Sequence, residues 1–115
     1  MSGRRVTYHL APRAWFDSTD LAQPYTPEAF DRDGFVHCTD SLDELIAVGN
    51  RYYRDDARPF VALMIDVDAL SSPVRYDDEA RLYPHIYGPV DRSAIIAVRT
   101  VRRADGGAFI AVDHA

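Results

Sequence analysis

Gly34-Phe35-Val36-His37-Cys38-Thr39-Asp40-Ser41-Leu42-Asp43-Glu44 is the stretch on which the fold turns. Its first six residues are short, aromatic and β-branched and read as a strand. Ser41 and Glu44 then stand at capping-box spacing, Ser41 as N-cap and Glu44 reaching back, so a helix must follow the strand directly. Leu42, Leu45, Ile46, Gly49, Tyr52 and Tyr53 recur at helical spacing. The helix is therefore predicted to run to about Tyr53 and to pack that face on a sheet.

Working outward, Phe60 to Val67 is almost continuously apolar, as expected of a central strand covered on both faces, with Asp66 to Leu70 as its exit turn. Upstream, Val6-Thr7-Tyr8-His9-Leu10 reads as a first strand, with a helix beginning near Pro12. Ser18 to Asp33 holds Pro24 and Pro27 and reads as a loop with one helical turn at Pro27 to Phe30. Downstream, Val74 to Tyr76 and Leu82 to Tyr87 are short strands around the polar run Asp77-Asp78-Glu79. Ile95 to Val101 and Ala108 to Val112 flank Asp105-Gly106-Gly107, which supplies the positive φ that a hairpin turn needs. About six strands with two or three helices, no βαβ alternation and no internal repeat give an α+β fold of short antiparallel strands.

Composition narrows the function. The 115 residues suit one domain, 1–115. A net charge of -5, no lysine and thirteen scattered arginines argue against a nucleic-acid partner, which calls for clustered cations. No apolar run of about eighteen residues occurs, which excludes a spanning helix. The start, Met1-Ser2-Gly3-Arg4-Arg5, has no apolar signal core. Cys38 stands alone, which excludes an intramolecular disulfide and a thiolate-only metal site. These features predict a cytoplasmic protein without a membrane partner.

Three of the four histidines, His9, His37 and His85, follow strand-like runs, each near an aromatic or hydroxyl neighbour: Tyr8, Thr39 and Tyr87. Any one of them alone suits a half-buried ring bonded to a carbonyl. All three together point to a site. A metal centre would draw on these imidazoles with Asp66 or Glu79, but no two histidines have the i, i+4 spacing that makes such a signal specific, and no metal is expected. Cys38 and His37 are adjacent in a strand, point to opposite faces and cannot form a Cys/His nucleophile, so Cys38 is read as a core residue. In Leu82-Tyr83-Pro84-His85-Ile86-Tyr87-Gly88-Pro89 the prolines and glycine fix the backbone, and His85 and Tyr87 should face one side. The acidic run is read as a solvated turn, Glu79 being the member assigned chemistry.

The blocks Gly34 to Thr39, Asn50-Arg51-Tyr52-Tyr53-Arg54 and Tyr83 to Pro89 resemble the small bacterial family called domain of unknown function 952, over nearly the whole chain. That family is similar in layout to the ADP-ribosyltransferase fold, and within it to the RNA 2'-phosphotransferases. There a Tyr-His strand comes first, a His-x-Ser/Thr strand precedes a capped helix, and a Val/Leu-rich strand follows. The resemblance implies that His9 contacts one ribose of a dinucleotide such as NAD, and that His37 contacts the other ribose or a phosphate with Thr39 supporting it. By the same likeness His85 or Tyr87 lies near the third catalytic position, and Arg51 and Tyr52 join the ligand-binding candidates. Many transferases of that fold carry Glu at the third position. No Glu occupies Pro84 to Pro89 here, and Glu79 could reach in only if its turn folds over the cleft.

Three functions follow as expectations. The first is an ADP-ribosyl-type enzyme acting on NAD or a related nucleotide, with His37, His85 and Glu79 as catalytic candidates and His9, Thr39, Arg51, Tyr52 and Tyr87 as ligand contacts. The second is a nucleotide-binding module without turnover, and the third a protein-interaction domain.

Overall fold

The computed structural model describes residues 5–113. Among these residues seven strands form two antiparallel sheets. The larger has the order β1 (Val6–Pro12), β3 (Phe60–Asp66), β6 (Ile95–Arg103), β7 (Phe109–Val112), and the smaller the order β2 (Val36–His37), β5 (Pro84–Ile86), β4 (Val74–Tyr76). Every strand pairing among the described residues is antiparallel. Three helices accompany them: α1 (Arg13–Ser18), α2 (Phe30–Asp33) and α3 (Leu42–Tyr52). The mixed, mostly antiparallel class read from the sequence is the one observed.

β3 is the central strand that its apolar run predicts, and its side chains alternate between two cores. Val61, Leu63 and Ile65 join Ala11 of β1, Val36 of β2 and Ile86 of β5 between the two sheets. Phe60 and Ala62 join Leu10, Val101 and Phe109 on the other face, against Leu45 of α3. Covering a strand on both faces removes nearly all of its apolar area from water, at about 25 cal/mol per Å².

α3 begins as the capping box requires, with the Ser41 hydroxyl accepting the Glu44 N–H at 3.0 Å. The Glu44 carboxylate turns instead to Tyr83, whose hydroxyl donates to it at 2.9 Å. Helical spacing also misassigned Tyr52. Leu42, Leu45, Ile46 and Tyr53 pack on the sheet, whereas Tyr52 is 68% exposed, one step round the helix from the buried stripe.

Two strands are shorter than their apolar runs. β2 spans only Val36–His37, because Pro84 has no N–H to return to Cys38; Cys38 and Asp40 still donate to the Pro84 and Leu82 carbonyls at 3.0 Å, while on the opposite edge Thr39 pairs with Tyr8 of β1 through N–H···O bonds of 2.9 and 2.8 Å. The segment thus bonds to the small sheet along one edge and to the large sheet along the other. β5 is bounded by Pro84 and by Gly88-Pro89, since proline donates no ladder hydrogen bond. In the polar loop, the Phe30 N–H bonds to the Pro27 carbonyl at 3.0 Å, where a helical turn is read, and regular helix begins only at Phe30. The final hairpin forms as predicted. Gly107 has φ 97°, and a Cβ there would meet the Arg54 carbonyl oxygen at 2.1 Å, so the turn needs glycine twice over.

Candidate functional site

A cleft of about 940 Å³ opens where β1, the β2 edge, the α2 segment and the C-terminal half of α3 meet. His9, Thr39, His37, His85, Arg51 and Tyr52 all line it. Six of the eight candidates read from the sequence therefore share one cleft, although the three histidines do not share one face.

His9 pairs with Leu63 across β1 and β3 and points between the sheets. Its Nδ1 lies 2.7 Å from the His37 carbonyl oxygen and its Nε2 3.2 Å from the Tyr25 hydroxyl. A carbonyl only accepts, so Nδ1 carries the proton and Nε2 accepts from Tyr25. Burial lowers the His9 pKa to about 4, against the opposing effect of the carbonyl bond, and keeps the ring neutral. Both nitrogens are thus engaged within the protein. A ligand reaching this wall meets the Tyr25 hydroxyl or displaces it.

Tyr25 lies within the Ser18 to Asp33 segment, which the sequence marks only as a loop. It is fully buried, in tilted contact with the rings of His9 and Phe16, and burial raises its phenol pKa. The loop holding it is secured from outside itself. Arg92 donates to the Gln23 and Asp20 carbonyls and the Thr19 hydroxyl, Trp15 Nε1 donates to the Thr26 carbonyl, and Tyr25 bridges Val90. The sequence signal was faint: an aromatic residue between prolines in a polar segment.

His37 and His85 face each other across β2 and β5 and lie on the outer side, since Val36, Cys38, Pro84 and Ile86 point inward. Their ring centroids are 5.4 Å apart. Phe35 stacks on His85 at 4.1 Å with planes 20° apart, and tilts against His37 at 4.6 Å. Each imidazole also has a carboxylate. His37 Nε2 lies 3.1 Å from Asp33 Oδ2, and His85 Nδ1 lies 3.1 Å from Asp77 Oδ2. The Tyr87 hydroxyl donates to the same Asp77 oxygen at 2.5 Å, so His85 and Tyr87 do face one side. Hydrogen bonds from Arg32 to Asp33 and from Tyr87 to Asp77 hold both carboxyl groups below the usual carboxylate range.

Asp77, not Glu79, is thus the acidic residue that meets His85 of β5 and Tyr87 just beyond it. Glu79 is exposed and does not line the cleft. The turn folds back through Asp78, which accepts the Leu82 and Tyr83 N–H groups at 2.9 and 3.1 Å and leaves Glu79 outward. Thr39 is buried in the cleft wall, and what it contributes to His37 is the backbone pairing with Tyr8. Arg51 sits beside the phenols of Tyr52 and Tyr83, which raise its already high pKa. Cys38 is buried and burial raises its thiol pKa, the inert state expected of a core cysteine.

The cleft offers imidazoles, arginines and aromatic faces. Among the described residues no group of three or more His, Cys, Asp or Glu is arranged to hold a metal ion, and no helix is long and apolar enough to cross a membrane.

Protein CC0527 from Caulobacter crescentus has a similar fold, with a TM-score of 0.75 over 91% of this chain and 93% of that one at 18% identity. A double methionine variant of the same protein gives the same TM-score at 17% identity. No curated protein matches this chain. The family described as protein of unknown function (DUF952) matches residues 10–98 of the 115, and the chain belongs to that family.

Proposed function

We propose that this cleft binds a nucleotide of the ADP-ribose type, NAD being the candidate substrate, in a cytoplasmic protein with an ADP-ribosyltransferase-like core. The observation that carries the reading is that histidines from β1, β2 and β5 reach one cleft whose volume, about 940 Å³, lies in the range of small-molecule sites. Two facing antiparallel sheets with the first histidine on the first strand support the ADP-ribosyltransferase likeness. Arg51 lines the same cleft with no carboxylate partner among the described residues and suits a ligand bearing phosphates, beside Arg32 and Arg58, which are paired with Asp33 and with Glu28 and Asp56. Tyr52, Tyr53 and Tyr83 offer aromatic faces for planar rings. A net charge of -5 without lysine favours a small ligand over a polynucleotide.

Binding without turnover is the second reading. What favours it is the absence of Glu from the β5 segment and the outward placement of Glu79.

Calorimetric titration of NAD and ADP-ribose tests the proposal, with Arg51→Ala and Tyr52→Ala as rim variants that spare the core. Micromolar binding that weakens at least about tenfold in the variants, a difference of about 1.4 kcal/mol, is expected. No binding of either nucleotide by the folded wild-type protein would sink it. Chromatography of the NAD mixture then separates the two readings, because a module returns the nucleotide intact.

A further inference from the structure

We propose that His37 and His85 form a general acid–base pair that hydrolyses a phosphoester or pyrophosphate bond, with Asp33 and Asp77 as their positioning residues. The inference rests on the nucleotide reading for its natural substrate, and goes beyond it in naming the bond that breaks.

The carboxylates carry the first half of the argument. Cleaving a ribose–nicotinamide bond generates positive charge on the sugar, which calls for a carboxylate able to face it. Among the described residues, only Glu28 and Asp33 bring carboxylates to the cleft lining, and both are engaged. Glu28 is gripped by both terminal nitrogens of Arg58 at 3.1 and 3.2 Å, and Asp33 holds Arg32 and His37. Nearby, Glu44 accepts from Tyr83, and Asp77 serves His85, Tyr87 and Arg75. Each carboxylate of the cleft lining among the described residues is thus already committed to an arginine or an imidazole.

The imidazoles carry the second half. A carboxylate accepts, so Asp33 fixes the proton of His37 on Nε2 and Asp77 fixes that of His85 on Nδ1. His37 Nδ1 and His85 Nε2 then have no protein partner among the described residues and are available to a ligand. Phe35 stacks on one ring and packs against the other, which fixes their planes. Two oriented imidazoles on paired strands match the needs of displacement at phosphorus, a base for the attacking oxygen and an acid for the leaving one.

In the step, the unprotonated imidazole takes a proton from water as the water oxygen bonds to phosphorus. The phosphorus–oxygen bond on the far side breaks, and the leaving oxygen takes a proton from the other imidazole, present as imidazolium. One water is consumed, a phosphate and an alcohol or second phosphate are released, and the two rings return to their starting states by proton exchange with solvent. The groups facing His37 are Asp33, His85 and, beyond its own backbone, His9. Those facing His85 are Asp77, Asp78, Tyr87, His37 and Arg75, its cross-strand partner on β4.

The test uses the full chain with bis(p-nitrophenyl) phosphate, ADP-ribose and NAD as separate probes. The proposal expects nitrophenolate from the first and AMP from the second, without nicotinamide from the third. It also expects a bell-shaped pH profile. His37→Ala and His85→Ala should each lose about 100-fold or more in rate, one abolishing the acidic limb and the other the basic limb. Asp33→Asn and Asp77→Asn should displace those limbs, and Asp77→Glu should restore part of the rate, which a purely structural role would not do. Near-ultraviolet circular dichroism verifies that each variant is folded. Nitrophenolate release without nucleotide binding upholds the acid–base pair and sinks the nucleotide reading. Nicotinamide released while phosphoester bonds stay intact, or nucleotide bound with no probe cleaved, overturns the inference and leaves that reading standing.

Discussion

The stability of this fold should fall between about pH 7.5 and pH 5, and His9 should be the cause. Its ring is buried between the sheets, with Nδ1 donating to the His37 carbonyl and Nε2 accepting from Tyr25. Burial brings its pKa from 6.5 down to about 4. Between those values the unfolded chain binds a proton that the folded one does not, so stability rises with pH and is lost as pH falls below 6.5. At about 1.36 kcal/mol for each tenfold in proton affinity, the loss is about 2 kcal/mol at pH 5 and approaches about 3.4 kcal/mol below pH 4. Asp33, Asp56, Asp77 and Asp78 have depressed values, so their contribution is present above 3.8 and lost only as pH falls through and below it. A pH of about 5 therefore isolates the histidine from them. The assay is urea denaturation at both pH values for the wild type and for His9→Asn, which keeps a donor toward the His37 carbonyl. The wild-type midpoint should drop by about 1 M, given m-values of about 1–3 kcal/mol per M, and the variant's should change much less. Equal losses in the two proteins would refute the reasoning.

Two further substitutions test the packing that supports the cleft. A Cβ on Gly49 would lie 2.6 Å from the Phe109 ring, which is buried, contacts Phe60 edge-on and is covered by Arg103 at 4.4 Å, while the Phe109 backbone N–H and carbonyl bond to the side-chain amide of Asn50. Gly49→Ala gains up to about 1 kcal/mol of helix propensity but overpacks by about 1–3 kcal/mol, so a net lower melting temperature is expected by differential scanning calorimetry. The Arg103 guanidinium donates to the carbonyls of Tyr53, Arg54, Asp56, Arg58 and Gly107, a fan that a lysine ammonium cannot reproduce. Arg103→Lys should cost about 2–3 kcal/mol in chemical denaturation and should raise hydrogen exchange in the segment from Tyr53 to Arg58.

Much of the fold was legible because its signals are local. The apolar run Phe60 to Val67 had to be central, because no half-exposed strand tolerates such a run. Ser41 fixed the helix start by its own hydroxyl, and Gly106-Gly107 fixed the last turn by its φ angles. The alternation of His85 and Tyr87 likewise settled their common face. Strand lengths were less legible, because they depend on which partner a segment finds. Thr39 bonds to Tyr8 of β1 while its neighbours Cys38 and Asp40 bond to the Pro84 segment, pairings made by backbone groups that almost every residue carries.

Their place after strand-like runs, beside aromatic or hydroxyl neighbours, selected the histidines, but only the tertiary structure decided what each can do. His9 and His37 look equivalent in sequence, yet one is sealed between sheets with both nitrogens engaged and the other stands on the outer face beside a carboxylate. The choice of Asp77 over Glu79 depended on Asp78, which turns the loop by accepting two N–H groups. Tyr25 reached the site through contacts with Val90 and Arg92 across a wide gap in sequence. Propensity, periodicity and capping act over a few neighbouring residues and can be read from them. Burial, protonation and hydrogen-bond partnership are set by residues far apart in the chain, and come into being only when the sheets close on each other.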